Sequence, residues 1–112
     1  MPFFNSNDRK AKSLMQGVHF RTFWGEQMLL SHVSLDPHAE VPLHSHPHEQ
    51  AGIVLEGEMV FTIEGEGTQL LCVGDMYIAP GNVRHAVTAG ANGCVALDIF
   101  SPVREEYKFA DE

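Results

Sequence analysis

The chain has 112 residues, 44% of them apolar and 20% charged, the composition of one globular domain and not of a disordered or low-complexity chain. Its formal charge is −8, and three of its seven lysines and arginines (Arg9, Lys10 and Lys12) stand together near the start, so no basic track exists to neutralise a nucleic-acid backbone. No run approaches the length of a membrane span, and the opening residues lack the basic start and apolar stretch of a secretion signal, so a cytoplasmic protein is expected.

In chain order, residues 1–17 read as an N-terminal arm, 18–101 as the folded body and 102–112 as a tail. The body is a series of short β-branched and aromatic runs: His19 to Trp24, Gln27 to Leu35, Val41 to His46, Ala51 to Glu56, Met59 to Ile63, Gln69 to Cys72, Met76 to Ile78, Arg84 to Thr88 and Cys94 to Phe100. Between them stand turn formers, among them Asp36-Pro37, Gly57 at an expected hairpin, Gly74-Asp75, Pro80-Gly81-Asn82 and Gly90 to Gly93. Many short, evenly spaced strands predict an all-β sandwich or barrel. In the tail, Ser101-Pro102 predicts a short helix, with serine as cap and proline at its first position. Cys72 and Cys94 lie in apolar runs without CxxC spacing, so two buried free thiols are expected. A domain this small buries a modest share of its surface, which makes a bound metal or a partner subunit a plausible source of stability.

His44 and His46 are two residues apart in an expected strand, so their side chains leave on one face and can converge on an ion. Such a pair needs further ligands from elsewhere in the fold. Gln50 follows four residues later, then Gly57, and far downstream come Gly74, Pro80 and His85. This arrangement resembles the cupin family, whose first motif is H-x-H, three or four residues, Glu or Gln, six residues, Gly, and whose second is G-x5-P-x-G-x2-H. The resemblance implies a jelly-roll barrel, the cupin double-stranded β-helix, with His44, His46, Gln50 and His85 holding one divalent transition metal ion. Ligand type narrows that ion to Zn, Ni, Fe, Mn, Cu or Co. The chain departs from the family where His38 and Asn82 replace glycines and Ala89 replaces an asparagine; no ligand is lost. Asn82 is expected to keep its turn because asparagine tolerates positive φ. Gln50, a neutral amide in place of glutamate, leaves the ion its full double charge and hence greater Lewis acidity. His19, His32 and His38 are expected to be ordinary solvated or hydrogen-bonded side chains. His48 supports a ligand or stands by, and Glu49 is a minor alternative to Gln50.

On the last strand Cys94, Ala96, Asp98 and Phe100 share one face, and Val95, Leu97 and Ile99 the other. If Asp98 points inward, the aliphatic face points outward and needs a cover, which favours a homodimer. The ending Asp98-Ile99-Phe100-Ser101-Pro102-Val103-Arg104, together with His44 to Gln50, is similar to the KdgF group of small cupins from pectin and alginate breakdown. That likeness implies ring opening of 4,5-unsaturated monouronates to linear keto-uronates. It implies Asp98 and Arg104 as catalytic residues, with Phe100 and Arg104 contacting the substrate. Whether Asp98 acts as base or acid is open at this level. Two other readings also stay open: a metal-dependent dioxygenase, and a cupin that binds a small molecule without turnover.

Overall fold

The computed structural model describes residues 3–109. Among these residues eight strands form: β1 Lys12–Met15, β2 Val18–Trp24, β3 Leu29–Leu35, β4 Glu40–His44, β5 Glu49–Ile63, β6 Gly67–Cys72, β7 Met76–Ala79 and β8 His85–Ser101. Two 3-10 turns, Ser6–Asp8 and Glu105–Tyr107, are the helical elements among the described residues.

Every ladder is antiparallel, and two long strands organise the whole. The first half of β5 and the second half of β8 pair in one layer, flanked by β7 on one side and by β3, β2 and β1 on the other. The second half of β5 and the first half of β8 pair in the other layer, flanked by β6 and β4. This is the expected all-β jelly roll. Its interior is apolar, with Val18, Leu29, Val33, Val54, Met59 and Phe61 at 5% exposure or less, so burial of these side chains supplies the main stabilisation.

Gly57 and the stretch Gly90 to Gly93, expected as turns between separate strands, instead lie within β5 and β8, where the chain runs on. At Gly57 (φ 72°) the β5–β8 register shifts on either side of the residue, which is a bulged bend that carries the strand from one layer to the other. A side-chain carbon on Gly57 would lie 2.1 Å from the carbonyl oxygen of Gly93. The two long strands thus cross between layers back to back, and glycine there serves a bend and not a hairpin.

Other expectations need correction. Cys94 is buried as expected, but Cys72 is exposed, because it ends β6 on the solvent face. The tail forms no serine-capped helix: Ser101–Pro102 is a cis peptide, Ser101 Oγ donates to the Gln27 carbonyl (3.1 Å), and among the described tail residues the chain makes only the single turn Glu105–Tyr107. The arm carries strand β1 and a turn capped by Asn5, whose side chain accepts from Asn7 N. His38 and Asn82, the two non-glycine residues standing where the family has glycine, have φ of 62° and 65°. Asn82 does keep its turn, donating its backbone N–H to the His46 carbonyl at 2.7 Å.

Candidate metal centre

His44 ends β4 and faces His85, the first residue of β8, across the ladder. His46 lies past the strand, in the loop that Pro47 turns toward β5, so strand alternation is not what brings it beside His44. The loop does so, and the ring centroids of His44 and His46 are 5.6 Å apart. Gln50 enters from the other layer, on β5. The ligating atoms of His44, His46 and His85 all lie within 4.8 Å of one another, and Gln50 Oε1 stands 3.0 Å from His46 Nε2 and 3.1 Å from His85 Nε2.

Backbone carbonyls set the tautomers. His44 Nδ1–H donates to the Pro42 carbonyl (2.9 Å), His46 Nδ1–H to that of His48 (3.0 Å) and His85 Nδ1–H to that of Val83 (3.1 Å). A carbonyl can only accept, so the proton of each neutral ring sits on Nδ1 and Nε2 is a bare lone pair. Three imidazole lone pairs and the amide oxygen therefore converge with no proton among them. A divalent cation satisfies all four, and imidazole with an amide oxygen is a donor set suited to transition metals. Burial, and next the positive charge of Arg104, pull the His46 imidazole down to about 4. Burial likewise lowers His85, so both rings are neutral and ready as ligands near pH 7.

His48 serves through its backbone carbonyl, and Glu49 is exposed, outside this cluster. His19 pairs with Asp36 at the surface (3.2 Å), and neither His32 nor His38 belongs to the cluster of candidate ligands.

Asp98, Phe100 and Arg104 line the same cavity as His44, Gln50 and His85. Asp98 is 9% exposed, and Phe100 2%, whereas Val95, Leu97 and Ile99 are half-buried on the opposite face, the alternation expected of this strand. Burial pushes the Asp98 carboxyl up to about 6, against the opposing hydrogen bonds of Tyr77 and Gln50. Arg104 reaches back over the barrel mouth, its guanidinium carbon 5.2 Å from the Phe100 ring centroid and 3.9 Å from that of Tyr107. Its Nε is buried without a hydrogen-bond partner, and the nearest carboxylate, that of exposed Glu106, stands 3.6 Å away. The segment carrying it is tied down twice: Thr22 Oγ1 donates to the Tyr107 carbonyl (2.5 Å) and Arg9 to that of Phe109 (2.9 Å).

Two residues of the site escaped the sequence reading. Tyr107 forms the floor under Arg104, and the Tyr77 hydroxyl donates to Asp98 Oδ1. Tyr77 sits in a short strand that reads as core, and only the three-dimensional register sets it near Asp98.

A barrel of this topology with histidines from β4, its following loop and β8 around one point defines a cupin. Residues 31–100 match the Cupin domain family, and the chain belongs to it. It is 33% identical over 107 residues to the pectin degradation protein KdgF of Dickeya dadantii (strain 3937), a match covering 94% of this chain and 96% of that protein. Among solved structures, KdgF from Halomonas sp. is similar with a TM-score of 0.86 at 26% identity, over 93% of this chain and 97% of that one. An RmlC-like cupin from Shewanella frigidimarina is similar with a TM-score of 0.88 at 25% identity, over 96% of both chains. Among the described residues no helix is long and apolar enough to cross a membrane.

Proposed function

We propose that this protein is a pectin-degradation enzyme that opens the ring of 4,5-unsaturated monouronates, giving linear keto-uronates. The observation that carries the reading is one cavity lined at once by three of the four convergent lone-pair donors, His44, Gln50 and His85, by the buried Asp98 carboxyl and by the half-paired Arg104 guanidinium, with His46 completing the donor cluster beside it. The full-length likeness to KdgF of Dickeya dadantii supports it.

The substrate is a cyclic hemiacetal whose ring oxygen is also an enol-ether oxygen beside a carboxylate. Asp98 takes the proton of the anomeric hydroxyl; the carbon–oxygen bond of the ring breaks, and the former ring oxygen leaves as an enolate. Proton return to carbon four then gives the ketone, so the reaction is an isomerisation with no net proton gain or loss. A carboxyl poised near 6 can both accept and return that proton. Arg104 pairs with the substrate carboxylate through the donors that Glu106 leaves free, and Phe100 packs on the sugar ring. A divalent ion held by His44, His46, Gln50 and His85 would supply Lewis-acid stabilisation of the developing negative charge. A dioxygenase would leave Arg104 without a role.

The test follows absorbance of the conjugated carbon–carbon double bond when metal-loaded protein meets freshly made unsaturated galacturonate. Decay faster than the spontaneous reaction and faster than with His46→Ala is expected. Equal rates in all three would remove the assignment and direct attention to oxygen uptake.

We further propose a homodimer in the cytoplasm. Met76 and Ile78 of β7 are 73% and 61% exposed and continue across the register through Ile53 and Ala51 of β5 to Leu97 and Ile99 of β8. A second copy covering this outer apolar face would remove it from water. Light scattering is expected to give twice the chain mass for the parent and a single chain mass for Ile78→Lys; a monomeric parent rejects the dimer.

A further inference from the structure

Across the first layer one row of opposed residues runs Thr22, Ser31, Asp98, Gly52, Tyr77, from β2 through β3, β8 and β5 to β7. All five are buried. In an apolar barrel such a row of small and hydroxylated side chains is unexpected, and its centre is the proposed base. Gly52 stands between Tyr77 and Asp98, opposite one on each neighbouring strand. A side-chain carbon there would lie 2.3 Å from the Tyr77 hydroxyl oxygen and 2.5 Å from Asp98 Oδ1. Side-chain carbons do not tolerate such distances, so the glycine is the slot through which the phenol reaches the carboxyl.

The phenol is held on its other side as well. Its ring stacks on Phe61 at 4.4 Å between centroids and 27° between planes, and Phe61 lies nearly parallel to the His85 ring, 6.0 Å away and at 9°. Burial beside Asp98 raises the Tyr77 phenol far above its ordinary range, so it remains a donor at any pH of interest.

On the proposed ring-opening reading, we infer that Tyr77, admitted by Gly52, is a positioning residue that fixes the Asp98 carboxyl and assigns proton transfer to its second oxygen. With Oδ1 engaged by the tyrosine and Gln50 also hydrogen-bonded to the group, the carboxyl plane is held, and Oδ2 is the oxygen that exchanges the proton with substrate. A fixed proton carrier works from one side of the enolate, so the proton returned to carbon four arrives on one face. The row touches the candidate ligands at Asp98, which Gln50 also hydrogen-bonds, while the Tyr77 ring approaches His85 through Phe61.

The experiment compares Tyr77→Phe and Gly52→Ala with the parent protein, all metal-loaded and matched in metal content and circular dichroism. Tyr77→Phe keeps the stacked ring and deletes only the hydroxyl. Gly52→Ala keeps the hydroxyl and blocks its path. Both are expected to lower kcat roughly tenfold to a hundredfold, the scale of one hydrogen bond to a charged group, with KM within about twofold of the parent because neither residue holds substrate.

Turnover in deuterated water provides the readout that mere destabilisation would not move. The parent is expected to place deuterium on one face of carbon four, and both variants to lose that preference. Should the Tyr77→Phe variant retain both kcat and the facial preference, the positioning role is overturned while ring opening stands. A parent protein that opens no uronate overturns the functional reading and this inference with it.

Discussion

Asp98→Asn is expected to lower kcat for ring opening by about a hundredfold to ten-thousandfold, the range spanned by losing a general acid–base group. The amide keeps the size of the carboxyl, and its oxygen still accepts from the Tyr77 hydroxyl, so the packing of β8 against β5 and β7 is retained. What it loses is the ability to take a proton. Its effect on stability should run the other way. Asp98 titrates at 3.8 when exposed and at about 6 in the fold, so the folded state holds the proton more tightly. The ionised group therefore weakens the fold progressively as pH rises from about 4 to about 6, and the full penalty is present at pH 7. Removing it should raise the melting temperature at pH 7 and change little at pH 4. Single-turnover absorbance traces and thermal melts at the two pH values check both halves. Full activity in the variant would eliminate Asp98 as the proton carrier.

Metal removal is the second large effect. His46 is too strongly depressed to take up a proton near neutral pH, and its Nε2 faces the lone pairs of Gln50, His85 and His44. Without a cation these acceptors oppose one another, three of them buried and His44 half-buried, at the cost usual for unsatisfied buried polar groups. Free metal at a thousandfold above its dissociation constant stabilises by about 4 kcal/mol, which for a domain of this size corresponds to roughly 15 °C in Tm. Chelation is expected to lower Tm on that scale and to abolish ring opening, and readdition of one equivalent of a divalent transition metal to restore both. His46→Ala should melt like the chelated parent with or without metal. Identical melting curves before and after chelation would show that these side chains hold no structural ion.

The legibility of the sequence followed from how local each feature is. Strand alternation made the two faces of Cys94 to Phe100 readable, and turn chemistry marked the connections. The cluster of candidate ligands was readable because His44, His46 and Gln50 are close in sequence and His85 completes the second cupin motif. The long strands were not readable as such, since a glycine bend between layers and a glycine hairpin leave the same signature; only pairing partners far along the chain tell Gly57 from Gly65. The tail departs from its local signal for a related reason: Ser101-Pro102 carries a helix-start signal, but Ser101 finds the Gln27 carbonyl, a tertiary partner. Tyr77 and Gly52 carried no local signal, because their meaning lies in being opposite each other across a ladder.

The clamping of β8 bears on how faithfully the chain finds its alignment. Side chains on a strand alternate, so a slip of a single residue would put Leu97 or Ile99 where Asp98 belongs and turn the carboxyl out to solvent. An edge strand meets such a slip with one ladder; the end of β8 that carries Asp98 has β3 on one side and β5 on the other, and both would have to shift together. The bulge at Gly57 adds a notch, since its extra residue fits only one alignment of the two long strands. Bends that let the strands change layers thus also act as a stop, since a slipped barrel, whose site would be greasy and protonless, forfeits pairing on both flanking ladders at once.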